Sequence, residues 1–157
     1  MLNYFIASPV VGLGIILGAI LAIIAKEEIK QGMNYFLLLK NIIYPMIILI
    51  TSAYYFNINF AISVSVLILL PIIFIKKFQL SLIYVSFAII YILSSVNSSF
   101  FILISSLIFF AGFPIASIGA SDLRKNRLFN VLNKKILVPY ILFIVIIASN
   151  YAIQFYR

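Results

Sequence analysis

The stretch YFIASPVVGLGIILGAILAIIA, residues 4–25, decides the fold class of this chain. It carries no charge and is as long as the roughly 20 apolar residues that an α-helix needs to cross the hydrocarbon layer of a membrane. The cluster KEEIK, residues 26–30, follows it directly. Residues 4–25 therefore predict a transmembrane helix that ends at a polar boundary.

The same alternation of apolar runs and polar interruptions continues to the end of the chain. It predicts an all-α, polytopic transmembrane helix bundle that forms one domain over residues 1–157. The third and fourth of the predicted spans are short, and four or five crossings are the alternative. The six predicted spans are 4–25, 37–56, 58–75, 78–96, 100–120 and 136–155, with a basic loop at 121–135.

Composition separates the chain from soluble domains, which are roughly half apolar and about a quarter charged. Here 66% of the residues are hydrophobic and 9% are charged. Cysteine and histidine are both missing, which excludes disulfides, thiolate metal sites and the commonest general base. We therefore assign no catalytic residue and expect neither a metal ion nor a cofactor.

The distribution of charge predicts an orientation. The net charge is +8, but the basic residues lie beside apolar spans, so anionic lipid headgroups rather than nucleic acid are the expected partners. By the positive-inside rule, both termini lie outside a cell membrane that the chain crosses several times. Ten of the eleven basic residues follow spans one, three and five, all except Arg157: Lys26, Lys30, Lys40, Lys76, Lys77, Arg124, Lys125, Arg127, Lys134 and Lys135.

Aromatic residues gather near the opposite ends of the spans, where they predict a belt at the outer membrane interface. They include Tyr4, Phe5, Tyr54, Tyr55, Phe56, Phe100, Phe101, Tyr151, Phe155 and Tyr156.

An offset of 94 residues aligns part of the chain with itself. YFLLLKNIIYPMIILI, residues 35–50, lies over FNVLNKKILVPYILFI, residues 129–144, with six identities in sixteen pairs. The pairs Lys40/Lys134 and Pro45/Pro139 carry most of the information, because Ile and Leu matches are common in this composition. The alignment indicates a parallel internal repeat of the first and last helical hairpins; chance similarity between apolar segments is the alternative.

Small residues recur every fourth position on the first and fifth spans. At that spacing they form a face on which two helix backbones can approach closely, and such packing drives the association of helices in membranes. The predicted helix-packing residues are Gly14, Gly18, Ala22, Gly112, Ala116 and Ala120.

A second set of residues forms a candidate polar face on the cytoplasmic side: Glu28, Lys40, Asp122, Arg124 and Lys134. The 94-residue offset pairs Glu28 with Asp122, which suggests one functional face. The alternatives are a solvated interfacial turn around Glu28 and a snorkelling side chain at Lys40. The basic loop 121–135 resembles an amphipathic helix lying on the inner leaflet, or a helical extension of the sixth span.

Serines within spans three to five predict a polar seam, for which we favour hydrogen bonds between helices over a permeation path. They are Ser63, Ser65, Ser81, Ser86, Ser105 and Ser106.

Function is the least determined property. The scarcity of reactive side chains favours a non-catalytic accessory or permease-like subunit of a membrane assembly, either a homo-oligomer or a larger complex. The alternative is an intramembrane enzyme that holds a lipid headgroup at the cytoplasmic face. Three acidic residues, two of them adjacent, are few for the carboxylate clusters that bind magnesium in such enzymes.

Overall fold

The computed structural model describes residues 2–74, 79–121 and 138–155, and every regular element within these ranges is an α-helix. The all-α prediction is confirmed. The helices are α1 (Leu2–Ile24), α2 (Lys26–Tyr55), α3 (Ile58–Phe74), α4 (Gln79–Ser94), α5 (Ser98–Ser121) and α6 (Val138–Phe155).

Three stretches of these helices are long and apolar enough to cross a membrane: Ile6–Ile24, Gln31–Tyr55 and Ser98–Gly119. Shorter apolar stretches occupy the other helices, at Ile58–Leu67, Ser81–Ser94 and Tyr140–Ser149. By length and composition, the described residues thus support three spans, fewer than the six predicted.

The second helix begins well before its predicted span. We expected a polar connection before residue 37, but α2 starts at Lys26, and only Ala25 separates it from α1. Ala25 closes the last turn of α1 by donating to the Leu21 carbonyl and opens α2 by accepting from Ile29. Its φ of −105° and ψ of 44° are not helical, and the chain changes direction at this residue. Lys, Glu, Gln and Met are strong helix formers, and Glu27 and Glu28 in the first turn complement the helix dipole.

Contacts along α1 and α5 show that these two helices run in the same direction. Gly14 lies against Phe109, and one turn later Gly18 lies against Phe113. Residue numbers therefore increase in the same direction along both helices. This pair makes the most extensive contact between any two of the described helices.

Helices α2 and α4 also run parallel to each other. The Tyr44 hydroxyl bonds to Ser86, and further along both helices the Tyr55 hydroxyl donates to the Leu93 carbonyl. At the end of α2, Tyr54 stacks on Phe100 at the start of α5, with ring centroids 4.0 Å apart. Since α2 ends where α5 begins, α2 and α4 run opposite to α1 and α5.

The two remaining helices complete the alternation. α3 turns back along α2 after Asn57, and the hydroxyls of Ser52 and Ser65 lie 3.1 Å apart across this pair. On α6, Tyr140 lies against Gly12 of α1, and Phe143 packs on Tyr91 of α4.

The contact between Phe143 and Tyr91 lies near the start of α1, because the Tyr91 hydroxyl donates a hydrogen bond to the Tyr4 carbonyl. From residue 140 to residue 143, α6 therefore approaches the beginning of α1, so it runs opposite to α1. Successive described helices alternate in direction.

The bundle has a mostly apolar core and an apolar outer surface. Several hydroxyl-bearing residues are buried among the aromatic and aliphatic groups of the core: Ser8, Thr51, Ser52, Ser65, Ser94, Ser105 and Ser117. Large apolar side chains such as Ile6, Leu67 and Phe110 are more than half exposed. A soluble protein rarely leaves such extensive apolar surface uncovered.

Candidate functional site

The tightest packing in the molecule lies where glycines of α1 and α5 face each other. A β-carbon added to Gly18 would lie 2.5 Å from the Phe113 carbonyl oxygen and 2.8 Å from its Cα. One added to Gly112 would lie 2.8 Å from the carbonyl carbon of Gly14. Glycine is therefore required at these positions, because the backbones occupy the space of any side chain.

The predicted helix-packing residues are buried where the structure describes them. Gly14, Gly18 and Gly112 lie at the α1–α5 contact, and Ala22 and Ala116 belong to the buried core. The side chain of Ala120 lies outside the described residues. Both small-residue faces are thus used within a single chain.

Ser117 adds a polar bond to this contact. Its hydroxyl donates to the carbonyl oxygen of Gly18 at 2.9 Å, and its side chain is fully buried. We did not single out this residue from the sequence. Ser117 directly follows Ala116, a member of the small-residue face of α5, and this position is the signal that could have identified it.

Hydroxyl groups also join α2 to its neighbours. Tyr44 and Ser86 share a hydrogen bond of 2.8 Å, in which Ser86 accepts because its own proton goes to the Ile83 carbonyl at 2.7 Å. Ser52 and Ser65 meet across the α2–α3 contact. Ser65 and Ser86, two members of the predicted seam, therefore bond to α2 rather than to each other.

The other described seam residues take different positions. Ser63 and Ser106 are exposed and donate to carbonyl oxygens one turn back on their own helices. Ser105 is buried, and its hydroxyl has no partner among the described residues. Among the described seam residues, only Ser65 and Ser86 therefore have a described bond to another helix, and in both cases that helix is α2.

Five aromatic residues of the predicted belt divide into two groups, while the side chains of Phe5, Phe155 and Tyr156 lie outside the described residues. Tyr54, Tyr55 and Phe56 are exposed at the end of α2, as an interfacial belt requires. Phe100 and Phe101 are instead buried, and Phe101 packs edge-to-face on Tyr4 at a centroid distance of 4.5 Å. These two rings belong to the core at this end of the bundle.

The candidate polar face is only partly described. Glu28 is exposed near the start of α2, and Lys40 is half-buried on the same helix. Glu28 and Lys40 are twelve positions apart, which places them about 18 Å from each other along the helix axis, too far for a direct contact. Asp122, Arg124 and Lys134 lie outside the described residues, so the shared face remains a prediction.

Acidic side chains do not converge in the part of the chain that the structure describes. No group of three His, Cys, Asp or Glu residues there could hold a metal ion.

One cavity of about 240 Å³ opens between α2, α3 and α4. One wall comes from α2 and the residue after it, and Val64 of α3 forms another. The remaining wall belongs to α4. The α2 wall consists of Ile48, Thr51, Ser52, Tyr55 and Phe56, and the α4 wall of Ser86, Ile89, Ile90 and Leu93. The cavity exists because α3 packs mainly on α2 and approaches α4 at few positions.

Comparison with known protein families, with characterised proteins and with solved structures finds no match to this chain.

Proposed function

We propose that this chain crosses the cell membrane six times, with both termini outside, and serves as a non-catalytic accessory or permease-like subunit of a membrane assembly. The alternating helix directions support the six spans, because each helix then returns through the bilayer. The extensive apolar outer surface supports the membrane location.

The charge pattern supports the orientation. At one end of the bundle α1, α3 and α5 end while α2 and α4 begin, and the sequence segments next to these helix ends contain nearly all the basic residues. This end faces the cytoplasm in our proposal, where anionic headgroups are concentrated.

The short helices are compatible with crossing. α3 has 17 residues and α4 has 16, which corresponds to about 25 Å at 1.5 Å per residue, against a hydrocarbon layer of about 30 Å. A bilayer accommodates such a mismatch by thinning locally, at modest cost.

The topology has a direct test, because the natural chain has no cysteine. Single cysteines replacing Asn57 and Asn97, in the connections after α2 and α4, should react with a membrane-impermeant maleimide in intact cells. Glu28→Cys should react only after the membrane is permeabilised. Labelling of Glu28→Cys in intact cells, or protection of Asn57→Cys, would overturn the six-span orientation.

The subunit role depends on one observation, an apolar ridge along α2 that the described part of the chain leaves exposed. Leu38, Ile42, Met46 and Leu49 follow one another at helical spacing and are 57%, 55%, 42% and 40% exposed. Meanwhile the small-residue faces of α1 and α5 are occupied by each other. The α2 ridge is therefore the surface that we assign to a neighbouring subunit.

Site-specific crosslinking tests this assignment. A photoreactive residue at Ile42 should capture one protein partner at a constant ratio, whether a second copy or another subunit. The matched control is Ile102, which is 65% exposed on α5. If Ile42 captures only lipid, or if Ile102 captures the same proteins equally well, the proposed interface is wrong.

A further inference from the structure

The cavity between α2, α3 and α4 presents an apolar surface, although hydroxyl-bearing residues are part of its walls. Four hydroxyl-bearing residues line it, yet all four hydroxyls bond within the protein. Thr51 donates to the Ile47 carbonyl at 2.8 Å, and Ser52 meets both the Ile48 carbonyl and Ser65. Tyr55 donates to Leu93, and Ser86 bonds to Ile83 and Tyr44. The surface left to an occupant is therefore hydrocarbon.

Charge is also missing from the cavity walls. The segments that form them, residues 48–64 and 86–93, contain no acidic or basic residue. An ionic ligand would therefore find no countercharge there. An uncharged, apolar occupant is the chemistry that these walls complement.

The cavity opens on the side of the bundle, close to the ends of α2 and α4. Phe56, Ile89 and Leu93 line it and are also 48%, 50% and 41% exposed on the outer surface of the bundle. In a bilayer these exposed side chains face lipid. The described parts of α3 and α4 make few contacts, which leaves an entrance between them.

We propose that this cavity binds one acyl chain of a membrane phospholipid, which enters between α3 and α4. This inference rests on the proposed membrane location. Its volume of about 240 Å³ suits a segment of such an acyl chain, since an apolar cavity of roughly 150 Å³ already remains dry and binds benzene. In the cavity, the acyl chain gains packing contacts with fixed protein atoms on several sides at once, which bulk lipid does not offer.

If the cavity recognises the acyl chain of the lipid and not its headgroup, one specific consequence follows. Because the walls are uncharged, binding does not depend on the charge of the headgroup. Phosphatidylcholine and phosphatidylglycerol with identical chains should occupy the cavity equally. This separates the cavity from the basic end of the bundle, where anionic headgroups are expected to be preferred.

Photolabelling tests the proposal on the full-length protein in phosphatidylcholine vesicles. Each vesicle preparation contains a small fraction of either phospholipid with a diazirine in the middle of one acyl chain. After illumination, mass spectrometry should locate most adducts at the residues lining the cavity, chiefly on α2 and α4, with equal yields for both headgroups. An even distribution over all exposed helix surfaces, or a clear preference for phosphatidylglycerol, would overturn the proposal.

Cavity-filling variants make the test specific. Val64→Phe places a ring in the cavity and should remove most of these adducts, whereas Ile62→Phe on the exposed side of the same helix should retain them. Ile89→Phe at the rim provides a second blocking variant that leaves the core unchanged. Unaltered labelling in both blocking variants would refute the site, and a complete lack of adducts on any helix would refute the membrane location itself.

Discussion

The hydroxyl of Ser117 donates a hydrogen bond to the backbone carbonyl of Gly18, 2.9 Å away, across the closest approach between α1 and α5. The acceptor is accessible because Gly18 has no side chain and its backbone lies directly against Phe113. Close backbone packing and a buried interhelical hydrogen bond thus depend on the same glycine. We expect this contact to control the stability of the bundle.

Gly18→Ala should destabilise the protein, because the added methyl group overlaps the backbone of Phe113. Overpacking of this kind costs about 1–3 kcal/mol, more than the roughly 1 kcal/mol that alanine gains in helix propensity. The measurement is the thermal loss of monodisperse protein in mild detergent. Gly32→Ala is the control, because its nearest neighbour is the flexible Phe36 side chain at 3.6 Å. Equal stability of the two variants would contradict the backbone contact.

Ser117→Ala should have a smaller effect. It removes one hydrogen bond and leaves the packing intact, so we expect a loss of about 0.6 kcal/mol, the average for such bonds between membrane helices. Equilibrium unfolding in mixed micelles would measure this difference. Ser106→Ala should leave stability unchanged, since Ser106 is exposed and bonds only to its own helix. A similar loss in both variants would refute the interhelical role of Ser117.

A disulfide should form between α2 and α3 when Ser52 and Ser65 are both replaced by cysteine. Their hydroxyl oxygens lie 3.1 Å apart, and a disulfide needs its sulfur atoms at about 2.05 Å, a change that small side-chain rotations can provide. Protection from a maleimide-polyethylene glycol gel shift after mild oxidation would report the bond. Ser52→Cys with Ser63→Cys should remain reactive, because Ser63 faces outward. A disulfide in the control pair, and none between positions 52 and 65, would show that the opposite face of α3 packs on α2.

Tyr44→Phe and Ser86→Ala should not have additive effects on unfolding free energy. The two side chains share the bond between α2 and α4, so removing either one already loses it. A double-mutant cycle should give a coupling energy of up to about 1.7 kcal/mol, the largest reported for membrane helices. A coupling energy of zero would show that the bond contributes nothing to the α2–α4 contact.

The candidate sites illustrate how far local sequence can predict. The spacing of Gly14, Gly18 and Gly112 identifies faces suited to close packing, but it does not distinguish a contact within one chain from a contact between two copies. The structure pairs α1 with α5. Similarly, the serines are visible in the sequence, whereas their bonds to Tyr44 and Ser52 depend on the position of α2.

By itself, the sequence determined that the chain is helical, where most helices end, and that the apolar runs suit a membrane. These properties follow from hydropathy along short segments and from the charges between them. Only the tertiary structure decided which helices are neighbours, that α2 begins at Lys26, and where a cavity opens. The physical reason is that lipid tails and helix faces are equally apolar, so hydropathy does not mark the side of a membrane helix that meets another helix.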